Sequence, residues 1–302
     1  MKKPTRIWLN GRVAGWHEAT VHVTSETAIR GVNVFEGVMA YKVPGRDEHA
    51  VIAIDEHLAR LERSAALLHL PVPYSSAELR QGVADLIRAE PSSDDLYIRP
   101  TVYLDRGMYT GDLASMHAGA YITSYTRTRA SMKDVDLVSV PHRRIDDETF
   151  PVQAKSGAVY SAFRLARIAA VQAGGQEPLL LNGRGTVAET AGAAVMAVFG
   201  DEVVSPPAAD GALESITRDI LAGILRDEFG KTLVLRSLNP GDLYEADEVF
   251  LCGTLDEVVS VRTYDGERVG KADGDLALRL FEKYREACTV PSGTGIQMTV
   301  TW

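Results

Sequence analysis

Lys155 is the only lysine between Lys133 and Lys231, and it sits in a run of small and apolar residues, 151–160 (PVQAKSGAVY). A lysine kept among such neighbours favours its neutral form, and a neutral amine is what Schiff-base chemistry needs. Taken alone, a loop lysine is ordinarily a solvated surface charge. The residues downstream argue otherwise. A helix-like stretch at 161–173 leads to an apolar strand at 178–181, an Asn182-Gly183 turn and a returning strand at 185–189 that ends in one carboxylate, Glu189. Further on, Ser215-Ile216-Thr217-Arg218 opens a helical pattern through Leu221, Ile224 and Leu225. The backbone amides of Ile216 and Thr217 then lie at a helix N-terminus, which favours a phosphate dianion through free N–H groups and the helix dipole. Thr254, after a strand and Gly253, offers a hydroxyl and an amide, and Arg60 a full positive charge.

The lysine, Tyr160 and Glu189 arrangement resembles the fold-type IV pyridoxal-phosphate enzymes, most closely the branched-chain amino-acid aminotransferases. The likeness runs through nearly the whole chain in order: 7–11 (IWLNG), 31–37 (GVNVFEG), 57–61 (HLARL), 97–100 (YIRP), 215–218 (SITR), 246–250 (ADEVF) and Gly253-Thr254. It implies a pyridoxal 5'-phosphate cofactor, with Lys155 as the Schiff-base amine and proton shuttle and Glu189 paired with the pyridinium nitrogen. Tyr160 would donate to the ring oxygen, Leu213 and Gly192 would sandwich the ring, and Arg60, Ile216, Thr217 and Thr254 would hold the phosphate. The expected activity is ping-pong transfer of an amino group between an amino acid and a 2-oxo acid. A lyase or a D-amino-acid or amine transaminase of the same fold is the alternative, and a cofactor-binding protein without turnover a third. Retention of Lys155, Glu189, Arg60 and Thr254 together weighs against the last.

Substrate contacts implied by the resemblance are Phe35, Gly37, Tyr97, Arg99, Leu255 and Asp256, with Met108 of the partner subunit reaching over from the loop 106–110 of a homodimer or larger homo-oligomer. Here the chain also departs from the family. Arg30 stands where an aromatic side chain is usual, Met39 where arginine is common, Leu255 and Asp256 where two alanines help to hold the substrate carboxylate, Ala194 in place of an asparagine, and Arg127 in place of a tryptophan. An uncompensated buried guanidinium is costly, so Arg30 and Arg127 in the pocket wall point to a polar or acidic donor. Arg30 pointing to solvent, or pairing with Glu26 or Glu36, is the alternative.

The remaining sequence must position these groups. With 302 residues and 45% apolar content the chain can bury a sizeable core. A net charge of -9 without a basic tract excludes nucleic acid as a partner. Cys252 and Cys288 show neither metal spacing nor a framework of bridges, which implies core fillers and a cytoplasmic setting, and no apolar run is long enough to span a membrane. Helical spacing at 57–68 and 76–89 and strand-like runs at 97–104 and 120–125 make a small α/β domain over 1–125. A polar stretch without periodicity, 126–132, is the expected interdomain loop, and 133–302 the larger α+β domain with a barrel-like sheet and the lysine. The resemblance implies a cofactor in the cleft between them.

Overall fold

The computed structural model describes residues 4–106, 116–271, 274–289 and 296–302. Its chain divides into two compact units of nearly equal length. The first comprises Met1–Arg129, Ala154–Ala158 and Ala287–Trp302, the second Ala130–Gln153 and Val159–Glu286. The chain thus crosses over within the stretch 126–132. The single domain expected over 133–302 is corrected, because Lys155 and the last strand belong to the first unit. The cause is backbone pairing: Val34 bridges Ser156, and Ile296–Thr301 runs antiparallel to Glu48–Ile52.

An eight-stranded sheet forms the first unit. In spatial order its strands are Ile296–Thr301, Glu48–Ile52, Val38–Lys42, Asp95–Arg106, His117–Arg127, Arg6–Leu9 and Arg12–Gly15, with Asn33–Phe35 also on Asp95–Arg106. The opening hairpin turns at Asn10 and Gly11, both at positive φ (45° and 92°), the geometry that a two-residue turn needs and that glycine tolerates. Alternation along Asp95–Arg106 sends Leu96, Ile98, Val102 and Leu104 to one face, where they meet Leu58, Leu61, Leu79 and Val83 in the core. Those partners come from the helices Ile54–Leu67 and Ser76–Ala89, whose apolar residues recur at helical spacing. Ser75 caps the second of them: its hydroxyl accepts from the Glu78 amide at 3.3 Å while the Glu78 carboxylate accepts from the Ser75 amide at 2.8 Å.

The second unit is built on a nine-stranded mixed sheet in the order Val187–Glu189, Glu177–Leu181, Asp134–Arg143, Glu257–Tyr264, Glu248–Gly253, Ala194–Phe199, Glu202–Ser205 and Thr232–Leu235, with Glu267–Arg268 on Glu257–Tyr264. The hairpin read at 178–189 is present, Val187 facing Leu181 across it. The helix expected at 161–173 runs Gly157–Gln172, and Val159, Phe163, Ala166 and Ala170 pack it on Val140 and Leu180. Cys252 and Cys288 are buried and form no disulfide among the described residues, and burial pushes Cys252 up to about 12. Among the described residues no helix is long and apolar enough to cross a membrane, and no cluster of three His, Cys, Asp or Glu side chains could hold a metal ion.

Candidate active site

In the first unit Lys155 is fastened to the strand Asn33–Phe35. Its carbonyl accepts the Phe35 N–H at 3.0 Å, its own N–H donates to Ser64 Oγ at 3.1 Å, and the Ser156 hydroxyl donates to the Asn33 carbonyl at 2.8 Å. The half-buried side chain places Nζ 5.3 Å from the centroid of the Phe35 ring. Backbone on both sides is therefore fixed while the amine end extends beyond it.

The next residue after Phe35 begins a buried ionic network that the sequence reading missed. Arg60 donates to Glu36 from Nε (2.6 Å) and from Nη2 (2.8 Å), and His57 Nδ1 lies 2.7 Å from Glu36 Oε2. All three side chains are almost completely withdrawn from solvent. Burial alone works to raise the Glu36 carboxyl, but Arg60 and then His57 outweigh it and hold it far below the usual carboxylate range. Burial lowers His57, Glu36 offsets part of that, and the charges of Arg60 and Lys155 push the same way as burial. A neutral imidazole donating from Nδ1 to an ionised Glu36 is the protonation state this favours. Arg60, read as a phosphate ligand with its charge uncommitted, thus carries a bidentate counter-ion. The signal was available: His57 and Arg60 stand three apart on one helix face, and Glu36 is the lone carboxylate in an apolar strand run.

The sheet face opposite the core carries the expected substrate residues. Phe35 is 2% and Tyr97 9% exposed, and the Arg99 guanidinium lies over the Phe35 ring at 3.6 Å. Glycine at 37 leaves room for the Tyr97 ring, since a Cβ at that position would stand 2.5 Å from Tyr97 Oη. Arg30 does not share this arrangement. It ends the helix Glu26–Arg30, is exposed, and donates from Nη1 to both oxygens of Glu26 at 2.8 Å. The compensation sought from a substrate is supplied by the protein itself. Met108, and the loop 106–110 beyond its first residue, lie outside the described residues.

In the second unit Glu189 is 7% exposed. Its Oε1 receives Arg144 Nε at 2.5 Å and its Oε2 the Leu213 N–H at 3.2 Å. Arg144 also donates to the Val152 carbonyl at 3.0 Å and lies 5.2 Å from the Phe163 ring, which in turn meets the half-buried Tyr160 edge to face. Arg144 carried no sequence signal, being 45 residues from its partner. Its Nη1 is buried and has no hydrogen-bond partner among the described residues. At the helix Ile216–Phe229, Ser215 Oγ accepts from the Arg218 N–H (3.2 Å) and its carbonyl accepts from the Asp219 N–H (3.1 Å), which leaves the amides of Ile216 and Thr217 as open donors of the first turn among the described residues. Gly253 approaches the Gly192 carbonyl so closely that a Cβ would come within 3.1 Å of it, which brings half-buried Thr254 and exposed Gly192 to the same end of adjacent strands. Leu255 and Asp256 are exposed in the short link to Glu257–Tyr264.

The donor set suits a phosphorylated pyridine aldehyde: paired amides for a dianion, a buried carboxylate for a ring nitrogen, an amine for the aldehyde. The model of the amino-transferase class IV family matches residues 33–264. The branched-chain-amino-acid aminotransferase of Salmonella typhimurium is 34% identical over 283 residues, covering 89% of this chain and 88% of the relative. Two solved structures superpose on it closely. The branched-chain aminotransferase of Thermoproteus uzoniensis with norvaline gives a TM-score of 0.87 at 32% identity, over 94% of this chain and 95% of that one. The branched-chain amino acid aminotransferase of Thermobaculum terrenum in its PLP-form gives 0.88 at 30% identity, over 96% and 95%.

Proposed function

The chain belongs to the class IV aminotransferases, is a pyridoxal-phosphate-dependent transaminase of fold type IV, and we propose that Lys155 is its catalytic amine. Bound pyridoxal phosphate supplies a carrier for the amino group and an electron sink for the substrate's α-carbon electrons. Lys155 Nζ is the atom that receives and returns the proton moved between the two reacting carbons. Glu189, held by Arg144 and the Leu213 amide, would keep a proton on the ring nitrogen, and Tyr160 would donate to the ring oxygen. Ile216, Thr217 and Thr254 would donate to the phosphate, and Arg60, oriented by Glu36, would join them as a guanidinium donor. Gly192 and Leu213 cover the ring.

The observation that carries this reading is the anchoring of Lys155: its main chain is bonded on both sides, to Phe35 and to Ser64, in a segment otherwise made of small residues. A solvated loop lysine has no need of that. Phe35, Gly37, Tyr97 and Arg99 are proposed to receive the amino acid and the 2-oxo acid, Arg99 by holding a carboxylate, with Leu255 and Asp256 at the rim and Met108 of the partner subunit completing the site in a homodimer. The relatives' names favour aliphatic donors, whereas Arg127 favours a polar one. Two buried cysteines outside any disulfide fit a cytoplasmic setting.

The test is to mix holoenzyme with panels of L- and D-amino acids and amines and follow conversion of the cofactor's absorbance to the pyridoxamine form. At least one L-amino acid is expected to convert it fully in the wild type and none in Lys155→Ala. Conversion by the mutant at near wild-type rate would refute the assignment.

A further inference from the structure

The first unit's sheet has two unlike faces, and only one is filled by the protein's own apolar side chains. The register sets the other out in rows: Thr101 opposite Tyr121, Arg99 opposite Thr123, Tyr97 opposite Tyr125 with Met39 on its far side, and Asp95 opposite Arg127. Directly paired residues share a face, as do residues two apart on one strand. Arg99, Arg127 and the two threonines therefore stand on one surface.

Polar groups on that surface are left without partners. Thr101 and Thr123 are 1% and 4% exposed, and neither hydroxyl has a hydrogen-bond partner among the described residues. Arg127 Nη1 is buried in the same condition. Its register partner Asp95 does not serve it. One Asp95 oxygen receives Arg129 Nε at 2.9 Å, and the other receives Arg129 Nη2 at 2.6 Å and the Lys42 amide at 2.9 Å. Among the described residues no carboxylate pairs with Arg127 or with Arg99. Arg127 is half-buried, with this donor of its guanidinium withdrawn from water, and buried donors are rarely left idle.

Resting on the transaminase reading, we infer that Arg127, aided by Thr123 Oγ1, is a specificity-determining residue that recognises an anionic group on the donor's side chain. The substrate class is then amino acids with a side-chain carboxylate, in preference to branched aliphatic ones. Arg127 and Thr123 lie about 14 Å apart along their strand at about 3.4 Å per residue, a span that one arginine side chain and two hydrogen bonds to a single carboxylate can bridge. The row between them, Tyr125, Tyr97 and Met39, contributes no competing charge.

The experiment measures kcat/KM of the holoenzyme's first half-reaction for aspartate, glutamate and 2-aminoadipate against norvaline and leucine, in wild type, Arg127→Met, Arg127→Lys and Thr123→Val. In parallel, calorimetry compares the binding of glutarate with that of valerate. Arg127→Met is expected to lose about ten- to a hundredfold toward the acidic donors and toward glutarate, while the aliphatic donors and valerate change less than about threefold. Arg127→Lys should recover part of the loss, and Thr123→Val should share its direction. Equal change in both donor classes, or none in either, overturns the inference. Failure of every donor to convert the wild-type cofactor would instead defeat the transaminase reading, and the glutarate and valerate constants would still decide the role of Arg127.

Discussion

Replacing Glu36 by glutamine tests whether the buried network at the head of the site is a paired ion cluster. The carboxylate accepts two hydrogen bonds from Arg60 and one from His57 at 2.6–2.8 Å and another from the Gly37 N–H at 3.3 Å, and has no exposed surface. An amide can offer its oxygen to only one side and must aim N–H donors at the other. At least one guanidinium donor then loses its acceptor, and the Arg60 charge loses its counter-ion. Breaking a buried pair in this way costs about 3–5 kcal/mol, a large part of the ~5–15 kcal/mol that holds a domain folded. At about 2–4 °C per kcal/mol the melting temperature should fall by about 6–20 °C. Urea unfolding of wild type, Glu36→Gln, Arg60→Met and the double variant, at one fixed concentration of added pyridoxal phosphate, separates the pair from its parts. The double variant should be more stable than the sum of the singles by roughly 2 kcal/mol. The acid limb gives a second reading. Because the native pairing holds Glu36 far below its ordinary 4.5, its contribution is full above that pH and is lost as the pH falls below it, so the variant's stability should depend less on pH there. A loss under about 1 kcal/mol, or additivity within ~0.5 kcal/mol, would refute the reasoning.

Lys155→Ala should abolish transamination, by at least about a thousandfold, while far-UV circular dichroism is unchanged and the phosphate contacts still retain cofactor measurable by fluorescence. In Glu189→Gln, single-turnover conversion should slow by about a hundredfold or more with cofactor affinity altered much less; an unchanged rate would make Glu189 a structural partner of Arg144 only. Gly37→Ala drives a methyl to 2.5 Å from the Tyr97 hydroxyl, so the ring must move, and KM for the amino donor should rise more than kcat falls. His49 accepts from Trp302 Nε1 at 2.9 Å on Nδ1 and faces the Asp94 carbonyl with Nε2, and burial holds it below its ordinary 6.5 despite that carbonyl. Its contribution is therefore full above 6.5 and is lost as the pH falls below it, an effect visible in melting curves and in Trp302 fluorescence and absent from His49→Gln.

Much of the fold was legible because the buried faces are written in periodicity. The helix read at 76–89 has those bounds, and the one read at 57–68 runs Ile54–Leu67. Alternation at 97–104 and 120–125 located the two longest neighbouring strands of the first unit, and the Asn182-Gly183 turn joined the two strands it should. Allegiance between distant segments was not legible. Ser156 bridges Val34 and Ile296–Thr301 pairs with Glu48–Ile52 through backbone groups, which every residue carries alike, so side-chain pattern holds no record of the choice. The residue types around Lys155 therefore mark its chemistry but not the unit with which its backbone pairs.

The site shows the same division between residue types and their partners. The family's motifs carry arginines at positions 30 and 127 for the pocket wall and at 60 for the phosphate, but a guanidinium already paired with a carboxylate of the protein brings little net charge to a ligand. Arg30 is held by Glu26 four residues earlier on its own helix, a pairing the spacing allowed. Arg60 is held by Glu36 and Arg144 by Glu189, both across long separations. Where a carboxylate in turn serves the cofactor, as proposed for Glu189, its arginine fixes orientation rather than adding charge. What remains is the sheet face with Arg99 and Arg127, where Asp95 is near in register yet already claimed by Arg129. The charge that the sequence placed at the mouth of the signature motif thus belongs at the far end of the strand His117–Arg127, and the donor's side chain should be selected there.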